Sequence, residues 1–297
     1  MMDELFDAML QDRIMKIQVM DSQHNLSGKA YLSYSGGKDS NVVHYLLDMA
    51  LPGNQIPRVY LDTGIEYKSV REFVLGQAEK DHRFKLVRPS KNIKDMLEKY
   101  GYPFKSKEHS NKLHIYQNSG MTKTVEKYLS EGVYSCPDKL RYQFTPEFKL
   151  KVHDMCCRQL KKQPAHTWET ENGKSIIITG MRKSEGGQRA SGKQCSVFRS
   201  RDDGQDRTGT LKKFHPVYYV PNDFMDMFVS RFGVKLPDLY YAPYNFTRTG
   251  CKGCPFNTKL GKDLETLEKF FPAERKQCEI VWGPVYDEYR RLHYRGM

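Results

Sequence analysis

Apolar residues change their period several times in the first ninety positions. The run "KAYLS" reads as a short strand and is followed by "YSGGKDS" at 34–40. Beyond that turn, Val42, Val43, Leu46, Leu47 and Ala50 recur at helical spacing until Pro52 and Gly53 end the helix. "IPRVYLDTG" predicts a second strand stopping at Asp62 and Gly64, "KSVREFVLGQAEKD" a second helix, and "RFKLVRPS" a third strand. Strand and helix alternating in this way predict an α/β fold with a doubly wound, mainly parallel sheet. Ligands of such sheets bind at the carboxyl ends of the strands, where both "SGGKDS" and Asp62 fall.

The flanks are less regular. "MMDELFDAMLQDRIMKIQVM" predicts an amphipathic helix with Leu5, Met9, Ile14 and Ile17 on one side. Residues 91–144 are polar and aromatic and read as an insertion or lid. "TPEFKLKVHDMCCRQLKKQP" predicts a helix capped by Thr145, with Pro146 at its first position and Pro164 at its end. "KSIIITG" is the clearest strand, "PNDFMDMFVSRFG" a short helix, and "LPDLYYAPYNFTRTGCKGCPFNT" a loop. The last stretch predicts helices interrupted at Pro272 and around Gly283 and Pro284. The expected organisation is an N-terminal helix over 1–28, a nucleotide-binding α/β domain over 29–220, and a cysteine-bearing helical and loop segment over 221–297.

Composition narrows the class. The chain has 297 residues, 38% of them hydrophobic, enough for a sizeable core. Without a long apolar run or an apolar signal core, it is expected to be cytoplasmic and away from membranes. A net charge of +12 favours anionic partners, such as nucleotides, sulfate or phosphate esters, or nucleic acid; a merely solvated basic surface is the plainer reading. From Arg182 to Lys213 nine Lys/Arg stand against four Asp/Glu, a composition suited to a loop closing over an anion.

The 34–40 turn has the parts of a phosphate cradle. Gly36 and Gly37 supply dihedral freedom and close approach. A helix starting near Asp39 offers unpaired N–H groups and a partial positive charge. Lys38 adds a full charge, and Ser35 and Ser40 add hydroxyls. The loop is too short for a Walker A motif.

Seven cysteines, an odd number, argue against a disulfide framework. Cys156–Cys157 and the C-x-x-C of Cys251 and Cys254 can enclose a soft metal centre with four thiolates. Zinc competes for such a set, although adjacent cysteines suit its usual knuckles poorly. Cys156 and Cys157 also fit as small core residues. Cys195 lies in "ASGKQCSVFRSR", where Lys193 and Arg199 are expected to lower its pKa and favour a nucleophile or sulfur acceptor.

"SGGKDS" resembles the PP-loop signature of the adenine-nucleotide α-hydrolase superfamily, within which the chain is most similar to the PAPS/APS reductase family. "LDTGIE" resembles that family's second-strand motif and "GMRKSEGGQR" its arginine motif. "CCRQLKKQP" and "TGCKGCPF" resemble the two halves of the cysteine set of 4Fe–4S APS reductases. The resemblance implies an adenine-nucleotide α-hydrolase-like fold and ATP, APS or PAPS as the nucleotide, with Mg2+ as its companion ion. Ser35, Gly36, Gly37, Lys38, Asp39, Ser40, Asp62, Thr63 and Gly64 would bind it, with Glu66 beside them. Lys38, Arg182 and Arg189 would meet the anionic substrate, and Cys156, Cys157, Cys251 and Cys254 would hold a 4Fe–4S cluster, with Lys161 or Lys162 near it.

The chain lacks the family's tail cysteine, since Cys278 falls on an apparent helix. That shifts the expectation from sulfonucleotide reduction toward ATP pyrophosphatase chemistry with sulfur insertion. A sulfur donor or reductant protein is then an implied partner, and nucleic acid an admissible one. A non-catalytic nucleotide- or nucleic-acid-binding module with a structural metal site is the remaining alternative.

Overall fold

The computed structural model describes residues 2–130, 135–186, 192–198 and 210–297. In chain order the elements are α1 (Met2–His24), α2 (Leu26–Lys29), β1 (Ala30–Ser33), α3 (Lys38–Ala50), β2 (Arg58–Leu61), α4 (Lys68–Ala78) and β3 (Phe84–Val87). Then come α5 (Ile93–Tyr100), α6 (Lys107–Ser119), α7 (Lys123–Leu129), α8 (Gln163–Glu171), β4 (Ile176–Ile178), β5 (Cys195–Phe198) and β6 (Thr210–Phe214). The chain closes with α9 (Asn222–Arg231), α10 (Leu260–Phe270) and α11 (Pro272–Arg291). It divides into a sheet unit, Met1–Leu61, Ser69–Val87 and Ala165–Arg248, and a second unit, Asp62–Lys68, Arg88–Pro164 and Thr249–Met297. No helix among the described residues is long and apolar enough to cross a membrane.

The sheet unit has six strands in the order β3-β2-β1-β4-β6-β5. Every neighbouring pair is parallel except β5 with β6. This is the expected doubly wound, mainly parallel α/β sheet. The chain leaves β1 toward β2 on one side and returns to β4 on the other, so the order reverses between β1 and β4. Open sheets form their ligand crevice at such a switch point. Val42, Val43, Leu46, Leu47 and Ala50 of α3 are buried as predicted, as are Leu32, Ile176, Ile178 and Phe214 from the strands. Full burial of a Val or Leu side chain contributes about 1.5–3 kcal/mol.

Helix α1 keeps Met9, Ile14 and Ile17 of the expected face toward the core and departs from it at Leu5. Phe6, Leu10, Ile17 and Met20 are buried, whereas Leu5 is 62% exposed. Met9 and Ile14 pack partly against the core. Phe6, the neighbour of Leu5, takes the core position instead and stacks on Phe224 of α9 at 4.7 Å.

In the second unit, side-chain caps set the helices of the 91–144 stretch. Asn92, Ser106 and Thr122 each accept an N–H from the first turn of α5, α6 and α7. The predicted helix from Thr145 does not form. Val152 instead bridges Tyr102 in extended backbone, with the Tyr102 N–H on the Lys151 carbonyl at 2.8 Å and the Val152 N–H on the Gln117 side chain at 3.0 Å. Helical structure begins only at Cys156, opens into a π-helical turn over Arg158–Lys162, and continues through Pro164 into α8. The Gln163 N–H reaches back to the Arg158 carbonyl, and this widened turn carries the chain past the missing Pro164 donor. Helix α11 is likewise unbroken. Pro272 sits at its start, where its lost N–H costs nothing, and Gly283 and Pro284 lie inside it.

Candidate functional site

In the sheet unit the glycine turn is fastened by its own neighbours. Asn41 on the first turn of α3 donates to the Gly36 carbonyl at 3.0 Å and the Gly37 carbonyl at 3.1 Å. The Tyr34 hydroxyl donates to Asn41 Oδ1 at 2.5 Å, and the Ser40 hydroxyl donates to the Gly37 carbonyl at 2.9 Å. Holding the carbonyls inward turns the other edge of the loop outward. Gly36 is required twice over. Its φ is +73°, and an added Cβ would lie 2.7 Å from Val74 Cγ2 and 2.9 Å from Val70 Cγ1. Gly37 caps α3 without a side-chain bond, at a helix start whose partial positive charge favours an anion.

Arg182 stands beside that turn, following β4. Its Nε donates to Asp39 Oδ1 at 3.1 Å, and its Nη1 donates to Asn222 Oδ1 at 2.7 Å and Ser184 Oγ at 3.1 Å. The approach depends on Gly180, where an added Cβ would lie 2.8 Å from the Asp39 carbonyl carbon. The sheet register thus brings Arg182, Asp39 and the glycine turn together. Arg189 and Arg199 lie outside the described residues, as does much of the basic 182–213 stretch.

Lys38 is differently employed than expected. Its Nζ forms an ion pair with Asp226 at 2.6 Å, and its N–H donates to the Tyr240 hydroxyl at 3.2 Å. A cavity of about 360 Å³ opens beside it, lined by Asp226, Val229, Leu236, Tyr240 and Phe246 among others. An anion on the turn must compete with Asp226 for the ammonium. His215, buried behind β4, accepts from or donates to the Thr179 hydroxyl at 2.7 Å, and burial together with Lys213 pushes its pKa down to about 4. Asn41, Asn222, Asp226 and Tyr240 were not anticipated; only Asn41, one residue past "SGGKDS", stands near a recognisable motif.

Cys195 departs from expectation. It lies on β5, partly packed against the core, and burial raises its thiol pKa, opposed by Lys16. Among the described residues, burial thus acts against the thiolate expected beside Lys193, and Arg199 lies outside them.

In the second unit the C-x-x-C segment is hung on α11. Trp282 Nε1 donates to the Lys252 carbonyl at 3.0 Å, the Tyr286 hydroxyl to the Gly253 carbonyl, and the Tyr289 hydroxyl to the Pro255 carbonyl at 2.9 Å. These donors lie at i, i+4 and i+7, one face of a helix. Gly253 has φ +63°, and Cys278 Sγ would meet an added Cβ at 2.7 Å. Cys278 is thus a buried packing residue, its thiol pushed up to about 12 by burial. Lys252, also buried, donates to Glu274 at 2.7 Å and Gln277 at 2.6 Å.

The "DTGIE" segment joins the same assembly. Glu66 bridges Cys251, and the Lys252 N–H donates to the Ile65 carbonyl at 2.7 Å. The Thr63 N–H and hydroxyl both donate to the Glu66 carboxylate, at 3.1 and 2.6 Å. Gly64 has φ +78°, and Asp62, buried, meets Arg88 Nε at 3.3 Å.

The four cysteines of the predicted set act on one another's titration. Cys156 donates to Cys157, which lowers the Cys157 pKa and raises that of Cys156; Lys107, Lys161 and Lys162 further favour the Cys157 thiolate. Burial raises Cys251 and pushes Cys254 up to about 12. The Cys251 sulfur and then Glu66, 3.9 Å away, hold Lys161 above the usual lysine range against burial. Among the described residues, however, no three or more His, Cys, Asp or Glu side chains are placed to hold a metal ion.

Residues 29–135 match the family of the phosphoadenosine phosphosulfate reductase domain. An uncharacterized protein of Methanocaldococcus jannaschii is 32% identical over 116 residues, 39% of this chain and 27% of that protein. The chain therefore spans just over a quarter of that relative's length. Solved structures superimpose distantly. A PAPS reductase of Candida auris in its phosphate complex is 12% identical over 75% of this chain and 81% of that chain, with a TM-score of 0.43. A U34-tRNA thiolase of Methanococcus maripaludis with its 4Fe–4S cluster is 16% identical over 98% and 80%, with a TM-score of 0.42. The family likeness rests on residues 29–135, the stretch that carries the glycine turn and the first three strands.

Proposed function

We propose that the chain is an adenine-nucleotide enzyme that activates an acceptor with ATP and serves sulfur insertion. The observation that carries this reading is the turn after β1. Its carbonyls are clamped by Asn41, its backbone opens α3 without a side-chain cap, and the buried Arg182 guanidinium stands at its side. Such a cradle suits the phosphates of a nucleotide, with Mg2+ neutralising part of their charge.

In the adenylation step an acceptor oxygen attacks the α-phosphorus of ATP. The bond to the bridging oxygen breaks, pyrophosphate leaves, and the acceptor's proton passes to solvent. Lys38, released from Asp226, and Arg182 stabilise the negative charge that builds on the phosphates. A thiol or hydrosulfide donor then displaces AMP, forming the carbon–sulfur bond as the carbon–oxygen bond breaks. The cavity beside Lys38 gives an acceptor room next to the turn.

Cys156, Cys157, Cys251 and Cys254 would hold a 4Fe–4S cluster, which when bound supplies a redox centre or an iron site for sulfur. Their donor set suits it chemically: four thiols, one already favoured as thiolate, beside the Lys161 ammonium. A single zinc ion needs its ligands gathered on one point, which the described residues do not offer. Loading must also displace thiol protons from Cys156, Cys251 and Cys254, whose pKa values are all raised.

A second reading, reduction of an adenylyl-sulfate, is favoured by the family match over 29–135. One experiment separates the two. The protein is purified anaerobically, assayed for iron and sulfide, and incubated separately with ATP, APS and PAPS. Pyrophosphate from ATP is expected, with water taking the acceptor's place at the α-phosphorus; sulfite from APS or PAPS would replace the first reading with the second.

A further inference from the structure

Away from the cysteines, the second unit carries another concentration of chemistry. Its 88–164 stretch contains 16 Lys/Arg against 8 Asp/Glu. Tyr100, the last residue of α5, has the ammonium of Lys91 at 5.6 Å and that of Lys99 at 5.5 Å from its ring centre. The Tyr100 ring stands edge-on to His153 at 6.4 Å, and His153 stacks on His114 at 3.6 Å with an interplanar angle of 27°. Lys151 Nζ donates to the Lys99 carbonyl at 2.6 Å. Three ammoniums and three rings thus form one connected face.

Internal packing does not account for these charges. Among the described residues, Lys91, Lys99 and Lys151 make no ion pair with a carboxylate; Lys91 donates only to the Gln159 side chain at 3.3 Å. The carboxylate that touches the face, Asp154, is engaged with His153 Nδ1 at 3.1 Å. The backbone beneath is fixed by the Tyr102–Val152 bridge and by Gln117, so the rings stand on a rigid support.

Unpaired cations alternating with planar rings match a chain of phosphates carrying exposed base faces. A duplex offers the phosphates but hides the bases, and an acidic peptide has no use for the rings. We infer that this face binds a single-stranded nucleic acid, with phosphates on Lys91, Lys99 and Lys151 and unpaired bases against the Tyr100 and His114 rings. It names the acceptor class of the activating enzyme proposed above, and in that respect rests on that reading. Gln159, the partner of Lys91, lies two residues beyond Cys157, so the bound strand would reach the predicted cysteine set.

Binding is tested without turnover. Fluorescence anisotropy of the full chain is measured with labelled oligouridylate, the matching oligothymidylate and a duplex of equal length. Single strands are expected to bind at least about tenfold more tightly than duplex. The triple change Lys91→Ala, Lys99→Ala and Lys151→Ala is expected to weaken binding about 10- to 100-fold. It should also reduce the slope of log affinity against log salt by about 2, at roughly 0.7 per phosphate. Tyr100→Ala is expected to cost about tenfold with the salt slope unchanged, a signature that general unfolding would not give.

As a control, Lys262→Ala, Lys269→Ala and Lys276→Ala together remove the same charge from exposed positions of α10 and α11 and are expected to leave binding intact. Preference for the ribo- or deoxyribo-oligomer identifies the kind of strand. Equal binding of duplex, an equal loss in the control triple, or no binding at low salt overturns the inference. Pyrophosphate release from ATP is followed in parallel. If it persists while binding fails, the acceptor class falls and the activating reading stands.

Discussion

Both units hold a functional loop by hydrogen bonds to its backbone carbonyls, yet from opposite distances along the chain. In the sheet unit Asn41 clamps Gly36 and Gly37 from four or five residues away. In the second unit Trp282, Tyr286 and Tyr289 clamp residues 252, 253 and 255 from at least thirty residues away. Charge separates them too, with 22 Lys/Arg against 19 Asp/Glu in the first and 26 against 17 in the second. The first is a local device, which we propose serves phosphate. The second is a tertiary scaffold for thiols amid excess positive charge, and it is the more vulnerable to distant substitution.

The largest effect that sharpens the contrast is on the thiols. Cys157→Ser or Cys251→Ser is expected to reduce iron and sulfide content to background in anaerobically prepared protein. ATP binding measured by calorimetry should persist, because the glycine turn belongs to the other unit. Loss of both together would break the comparison.

Removing the Trp282 ring tests the scaffold. Trp282→Ala leaves a buried void and an unpaired Lys252 carbonyl, and is expected to cost about 3–5 kcal/mol in denaturant unfolding. Tyr286→Phe, which keeps the ring and removes only the donor, should cost about 1 kcal/mol.

Acid affects both units alike. Burial, the leading cause in each case, pushes His44 and His215 in the sheet unit and His109 in the second down to about 4. An unfolded histidine titrates near 6.5, so between about 6.5 and 4 the unfolded chain binds more protons than the folded one. This contribution is complete above about 6.5 and is lost as pH falls through 4. A midpoint of urea unfolding that declines over this window checks it; a flat profile would remove the histidines from the account.

The smallest expected effect lies at Lys38. Asp226→Asn frees the ammonium from a partly exposed pair, a contact worth less than about 1 kcal/mol. It should tighten ATP about two- to fivefold by calorimetry, whereas Lys38→Ala should lower turnover about 10²- to 10³-fold. Unchanged turnover in Lys38→Ala would remove that residue from the site.

The amino-acid sequence by itself determined the strand–turn–helix around 30–50, the parallel order of its first strands, and the need for glycine at 36. Each follows from neighbours a few residues apart: a period of two giving way to one of 3.6, a left-handed turn, a capless helix start. Only tertiary structure decided the rest. Alternation in "FKLKV" could not reveal that Tyr102 would pair with it and deny a helix at Thr145. Gly283–Pro284 read as a break because local propensity disfavours them, yet α11 runs through, its ring donors bound to carbonyls in the C-x-x-C segment. Arg182 was legible as a cation, but Asp39 and Asn222, which orient it, come from two distant places in the chain, and the need for glycine at 180 is set by its approach to Asp39. Cys195 shows the same limit, since its sequence neighbours are basic while its spatial ones bury it. Side-chain chemistry is written locally; burial, orientation and charge pairing are set by contacts between residues far apart in the chain.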